Sequence, residues 1–263
     1  MLTGGSAESL SERLLEAERA RTPIPPLTDE LPGLTARDAY GIQRALVKAR
    51  GEETVGYKLG FTSAAMREQM EIAGPNYGRL TRAMQVNPDA GPIRLSELIH
   101  PRVEPELAVL VEEDLAGPDL IPAQIYPSVR WAFGALEVVD SRYQNYRFRA
   151  EDNTADNSSA ARFVLGPPTS LAAAPDLRLA GALLWRGGRL VASGAGAAAL
   201  GDPMLAVAWL ADRLGEEGGV LEAGSIVLTG GLTKADSVGG GGTFVAEFCG
   251  MGTVKVHFSG EES

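Results

Sequence analysis

Two glutamates one residue apart, Glu104 and Glu106 in Pro101-Arg102-Val103-Glu104-Pro105-Glu106-Leu107, are answered by a third, Glu137, in Gly134-Ala135-Leu136-Glu137-Val138-Val139-Asp140. Both segments otherwise read as β-strands, and residues i and i+2 of a strand project from the same face. An ionised carboxylate taken out of water costs several kcal/mol unless it is paired or coordinates a cation. Oxygen donors with no Cys or His beside them suit a hard divalent ion such as Mg²⁺ or Mn²⁺. The alternative places Glu104 and Glu106 on the solvent face of an edge strand and pairs Glu137 with an arginine.

Lys58 is the next residue able to do chemistry. It stands in Val55-Gly56-Tyr57-Lys58-Leu59-Gly60-Phe61-Thr62-Ser63, an apolar strand that closes on small polar side chains. Burial lowers an amine's pKa and carboxylates raise it, so Lys58 is a candidate proton donor or acceptor. A lysine snorkelling to the surface is the competing reading. Asp140-Ser141-Arg142-Tyr143-Gln144-Asn145-Tyr146 and Thr154-Ala155-Asp156-Asn157-Ser158-Ser159 are dense in short polar side chains. Such segments suit a ligand-binding loop, and equally ordinary Asx and ST turns. Neither His100 nor His257 has a Ser or Cys nucleophile motif beside it, so a hydrolase triad is unsupported.

The elements that must position these groups fall into two blocks, residues 1–54 and 55–263. Ser9 to Glu18 carries apolar residues at helical spacing, and Thr35-Ala36-Arg37-Asp38 opens a capped second helix, the two separated by Pro23, Pro25 and Pro26. From Val55 onward short strands alternate with Gly and Pro, with a short helix expected at Ser63 to Met70. Leu179–Leu184 and Leu190–Ser193 flank Gly187-Gly188 as a hairpin, Pro203–Leu214 is apolar at helical period, and Ser225–Thr229, Thr243–Cys249 and Thr253–Phe258 close the chain as strands. Gly239-Gly240-Gly241-Gly242 is a turn rather than a phosphate cradle, because no helix follows it and no Lys-Ser/Thr closes it.

The 263 residues are 44% hydrophobic, enough for a packed core, and the single cysteine, Cys249, excludes an internal disulfide and is expected as a small core residue. A net charge of -10 argues against nucleic acid or an anionic membrane as a partner. With no apolar run of transmembrane length and no signal-like start, the expected location is the cytoplasm.

Taken in order, Gly56-Tyr57-Lys58-Leu59-Gly60-Phe61-Thr62-Ser63, Pro75-Asn76-Tyr77-Gly78, Pro101-Arg102-Val103-Glu104-Pro105-Glu106, Leu136-Glu137-Val138-Val139-Asp140-Ser141-Arg142, Ala155-Asp156-Asn157-Ser158-Ser159 and Gly194-Ala195-Gly196-Ala197-Ala198-Ala199-Leu200-Gly201 resemble the 2-keto-4-pentenoate hydratase and 4-oxalocrotonate decarboxylase family, within the fumarylacetoacetate hydrolase superfamily. The resemblance runs over nearly the whole chain. It implies an α+β fold with a mixed β-roll core and an N-terminal helical region, a homo-oligomer with association with a related hydratase as a further option, and a small 2-oxo acid or dicarboxylate substrate. By motif match it puts Mg²⁺ or Mn²⁺ on Glu104, Glu106 and Glu137 and an active-site amine on Lys58.

Within the family the details lean toward a decarboxylase. Hydratases usually carry Asp in Pro-Asp-Tyr-Gly, where this chain has Asn76, and an amide cannot be a general base. Tyr143-Gln144-Asn145-Tyr146, Leu98-Ile99-His100-Pro101, Arg162-Phe163 and Thr229-Gly230-Gly231-Leu232-Thr233 are similar to the decarboxylases. The implied reaction turns 2-oxo-3-hexenedioate into 2-hydroxy-2,4-pentadienoate through a metal-stabilised dienolate, with 2-keto-4-pentenoate hydration as the alternative. Arg162 is a candidate for the distal carboxylate, against a structural ion pair, and Thr62, Ser158 and Thr229 are candidates for the 1-carboxylate. A C–C hydrolase would be expected to need a His in the N-terminal region, and none precedes His100. A non-catalytic partner subunit fits poorly with an intact Lys58 and three intact glutamates.

Overall fold

The computed structural model describes residues 4–64, 67–68, 72–87 and 89–260. Helices α1 (Gly4–Ala20), α2 (Leu27–Glu30) and α3 (Ala36–Arg50) come first. Thr35 begins α3 with a capping box: its hydroxyl accepts the Asp38 amide (3.2 Å) and the Asp38 carboxylate accepts the Thr35 amide (3.3 Å). The short helix expected at Ser63 to Met70 falls largely outside the described residues.

Thirteen strands follow among the described residues: β1 (Thr54–Gly60), β2 (Asn76–Thr81), β3 (Ile93–Arg94), β4 (Arg102–Val111), β5 (Val129–Val139), β6 (Ala160–Leu165), β7 (Thr169–Ser170), β8 (Gly181–Arg186), β9 (Arg189–Ala195), β10 (Ile226–Gly231), β11 (Asp236–Ser237), β12 (Gly242–Phe248) and β13 (Gly252–Ser259). They form a sheet in the order β2-β1-β10-β4-β5-β6, with β11 on β4 and β7 on β5, and a five-stranded sheet β3-β13-β12-β8-β9. Both are mixed: β1 runs parallel to β10 and β13 to β3, and the other pairings are antiparallel. The expected hairpin at Gly187-Gly188 and the three closing strands are present.

Period-two alternation divides the work of the first sheet. Val103, Leu107, Val109, Leu136 and Val138 enter the main core, with Phe244, Phe248 and Val254 of the second sheet and Met204, Val207 and Leu210 of α5 (Pro203–Glu216). The sheets approach so closely at Gly134 that a Cβ there would lie 2.2 Å from the Phe248 ring. The opposite face carries Glu104, Glu106 and Glu137 beside a small cluster of Ala108, Ala135, Phe163 and Leu228. Leu14, Ile42 and Leu46 of the N-terminal helices form a further cluster that includes Tyr143 and Ala155, the last residue of α4 (Ala150–Ala155).

Cys249 is exposed, contrary to its expected place in the core. It lies one residue past β12, where alternation after inward-facing Phe248 turns it outward. No described helix is long and apolar enough to cross a membrane.

Candidate active site and metal centre

Glu104 and Glu137 are direct partners in the β4–β5 ladder, a pairing that repels when both are charged. With Glu106 they bring three carboxylates together, one oxygen of each lying within 4.8 Å of the others. Glu106 and Glu137 are fully buried, while Glu104 reaches the wall of a cavity. One Glu106 oxygen accepts the Gly230 amide (2.9 Å); Oε1 of Glu106 and Oε1 of Glu137 have no hydrogen-bond donor. Burial, aided by Glu137, pushes the Glu104 carboxyl up to about 7 and drives Glu106 well above the ordinary carboxylate range. Buried carboxylates this close, with lone pairs left over, are what a divalent cation satisfies.

Lys58 supplies the nearby positive charge, its Nζ lying 2.9 Å from Glu137 Oε2 and donating to the Ser158 carbonyl at 3.1 Å. Burial lowers the amine's pKa, but Glu137, Glu104 and Glu106 together outweigh that and leave it raised, so Lys58 is an ammonium. In strand order β10 and β4 intervene between Lys58 on β1 and Glu137 on β5. At about 4.8 Å per strand a flat sheet would hold the two apart, and their contact requires the sheet to curl with this face inside.

Two local devices make room. The β10 register breaks between Leu228 and Gly231, and Gly230 has φ +111°; a Cβ there would lie 1.9 Å from the Thr62 hydroxyl, and one on Gly231 2.3 Å from Glu104 Oε2. Opposite, Asn157, Ser158 and Ser159 all occupy the left-handed region. Asn157 pins this turn to β2, accepting the Arg79 amide (2.7 Å) and donating to the Arg79 carbonyl (2.9 Å). The turn aims the Ser158 carbonyl at Lys58. Arg142 braces the connection from behind, buried against the Asp156 carboxylate and donating to the Asp140 carbonyl at 2.8 Å.

The cavity, about 590 Å³, is lined by Lys58, Thr62, Arg102, Glu104, Tyr146 and Ser158 among others. Asn76 is one layer further in, its Oδ1 accepting the Ser158 hydroxyl (3.1 Å) and its amide donating to Asn153 Oδ1 (2.9 Å) and Thr154 Oγ1 (3.0 Å). Of the residues singled out in the sequence, Lys58, Thr62, Ser158 and the three glutamates are thus brought together, with Asn76 behind them.

Two are not. Thr229 is fully buried and donates its hydroxyl to the Leu107 carbonyl within the sheet (3.0 Å). Arg162 is not among the cavity-lining residues and faces Glu97 at 3.7 Å. Phe163, not Arg162, is the ladder partner of Glu137, so alternation sends Arg162 to the other face. The polar segments divide likewise: Asp140, Arg142 and Asp156 brace the backbone, while Tyr146, Ser158 and Ser159 reach the cavity. Tyr146, at the end of the polar segment that suits a ligand-binding loop, lines the cavity, whereas Arg102 and Asn153 are cavity residues that the motifs do not mark as such. For Arg102 the signal was present, since it stands two residues before Glu104.

No family model matches the chain. A curated 2-keto-4-pentenoate hydratase of Burkholderia vietnamiensis is 39% identical over 262 residues, covering 98% of this chain and 100% of its own. The solved 4-oxalocrotonate decarboxylase from Pseudomonas putida G7, complexed with magnesium and adipate, has a TM-score of 0.94 at 37% identity, covering 98% of this chain and 99% of that one. Fumarylpyruvate hydrolase from Pseudomonas aeruginosa shares the fold at a TM-score of 0.60 and 16% identity, over 78% of this chain and 89% of its own.

Proposed function

The chain belongs to the 2-keto-4-pentenoate hydratase and 4-oxalocrotonate decarboxylase family, and from that premise we propose that it is a lyase converting 2-oxo-3-hexenedioate or a close analogue to 2-hydroxy-2,4-pentadienoate and CO₂. Glu104, Glu106 and Glu137 would hold a divalent ion, and the unpartnered buried oxygens of Glu106 and Glu137 support that assignment. The all-carboxylate donor set and the magnesium in the relative from Pseudomonas putida G7 favour Mg²⁺, with Mn²⁺ as a substitute. When bound, such an ion supplies Lewis-acid polarisation of the substrate's 2-oxo group.

The chain's own residues supply the rest. Loss of CO₂ breaks the C5–C6 bond, and the electron pair passes through the C3–C4 double bond to the 2-oxo oxygen. Lys58, an ammonium facing the carboxylate cluster, offsets the negative charge developing there and holds a proton at Nζ for the enolate oxygen. Thr62 lines the same wall and its hydroxyl is the candidate donor to the 1-carboxylate, while the Ser158 hydroxyl is held as a donor to Asn76 Oδ1.

The observation that carries decarboxylation over hydration is the state of Asn76. Adding water calls for a base, and at this position there is an amide whose oxygen and nitrogen are both engaged with neighbours. Decarboxylation needs an electron sink and no base. The test is a paired assay with added Mg²⁺. CO₂ release from 2-oxo-3-hexenedioate is expected, and water addition to 2-hydroxypentadienoate without CO₂ release would assign the hydratase reaction instead. We take the working form to be a homo-oligomer: Leu183, Trp185 and Val245 lie together, partly exposed, on the outer face of β8 and β12, and sedimentation would test it.

A further inference from the structure

We propose that Arg102 selects the substrate, by holding a second carboxylate distal to the 2-oxo acid end. This rests on the reading of the carboxylate cluster as the place where the 2-oxo acid end binds.

Arg102, Glu104 and Glu106 form one row on one face of β4, each about 6.8 Å from the next. A ligand anchored at the cluster and extended along this row reaches Arg102 after a length comparable to that of a six-carbon dioate. The guanidinium lies on the Tyr146 ring, 3.7 Å from its centroid. That ring is itself fixed, its hydroxyl donating to the Val139 carbonyl (2.9 Å) and its face against His100 (4.6 Å between centroids). Stacking uses the face of a guanidinium and leaves the N–H fork at its edge free.

That fork is unclaimed. In a chain with ten more acids than bases, Arg102 has no hydrogen-bond or ion-pair partner among the described residues, although it is half-buried in a cavity wall. The other cations of the cavity are differently disposed: Lys58 is committed to Glu137 and Ser158, and Lys234 is exposed at the rim. A planar, pre-stacked guanidinium with free donors suits a carboxylate, which it can bind through two parallel hydrogen bonds. Because the departing CO₂ carries no charge, this contact is stronger in the ground state than in the transition state and acts through binding.

Calorimetric titration of the Mg²⁺-loaded protein with 2-oxoadipate and with 2-oxohexanoate, equal in chain length but differing in the distal carboxylate, tests this. The unmodified chain is expected to prefer 2-oxoadipate by about 10- to 100-fold. Arg102→Leu should bring that ratio close to one, and Arg102→Lys should restore part of it. The proposal is overturned if the unmodified chain shows no preference or binds neither ligand, if Arg102→Leu retains the preference, or if it weakens both ligands equally. Failure of the decarboxylase reading has a separate signature: no CO₂ release from 2-oxo-3-hexenedioate by a protein that still prefers the dicarboxylate.

Discussion

Glu106 is wholly buried, with one oxygen on the Gly230 amide and the other without a donor. Replacing it by Gln removes a carboxyl that the metal-free protein can bury only at the cost of taking up a proton, and deletes an ion ligand. Glu106→Gln should therefore raise the melting temperature in EDTA by about 2–4 °C, on the order of 1 kcal/mol, and abolish Mg²⁺-dependent turnover. Thermal scans with and without Mg²⁺ check both halves. Protonation follows the same logic. Glu104 is pushed up to about 7 and Glu106 well above its ordinary value, so both bind protons more tightly folded than unfolded. The contribution of Glu104 to the metal-free protein is full below about pH 4.5 and is lost as pH rises through about 7, and that of Glu106 is lost in the same direction. Ion binding requires the deprotonated forms, so the stabilisation by Mg²⁺ should grow over that window. A Mg²⁺-induced melting shift that is the same at about pH 5.5 and pH 8 would contradict this.

At the scale of elements, the β10 bulge is the feature on which the site's shape depends most. A Cβ on Gly231 meets the flexible end of Glu104, whereas Gly230 faces Thr62 with its backbone at φ +111°. Gly231→Ala should weaken Mg²⁺ affinity at least about tenfold by displacing Glu104 while leaving stability nearly intact; Gly230→Ala should cost about 1–3 kcal/mol through backbone strain. Metal titration and chemical denaturation of the pair separate the two effects. The bulge also marks how far the sequence could be read. The carboxylate cluster was legible because an i, i+2 pair in an apolar strand has few inexpensive explanations, and the capped α3, the hairpin and α5 announce themselves by local chemistry. Arg162 turns away from the site because the face a strand residue presents depends on register with strands distant in sequence, here Glu137 against Phe163, and Thr229 lies within the β10 register break, where its hydroxyl goes to the Leu107 carbonyl. Cys249 failed for a similar reason, at a strand end where one residue decides inside or outside.

For the molecule as a whole, the N-terminal helices and the strand-rich body share side chains. Leu46 and Ile42 pack with Tyr143 and Ala155, and Gln43 donates to the carbonyls of Tyr77 (2.8 Å) and Thr154 (3.0 Å). The boundary near residue 54 is thus one of connectivity, and we propose that the two regions unfold together. Leu46→Ala should cost about 2–5 kcal/mol and lower one transition, with helical circular dichroism and the fluorescence of Trp131, Trp185 and Trp209 moving in step. Separate midpoints for the two signals would show independent units. The alternation along β4 has a consequence for how the chain reaches this state. Its inward residues are apolar and the intervening ones in its first half are Arg102, Glu104 and Glu106, so a slip of one residue would press this charged row into the inter-sheet core. The carboxylates therefore act before any ligand arrives, as a proofreading mark: mispaired β4 has no low-energy home, and the row needed for chemistry also rejects wrong alignments during folding.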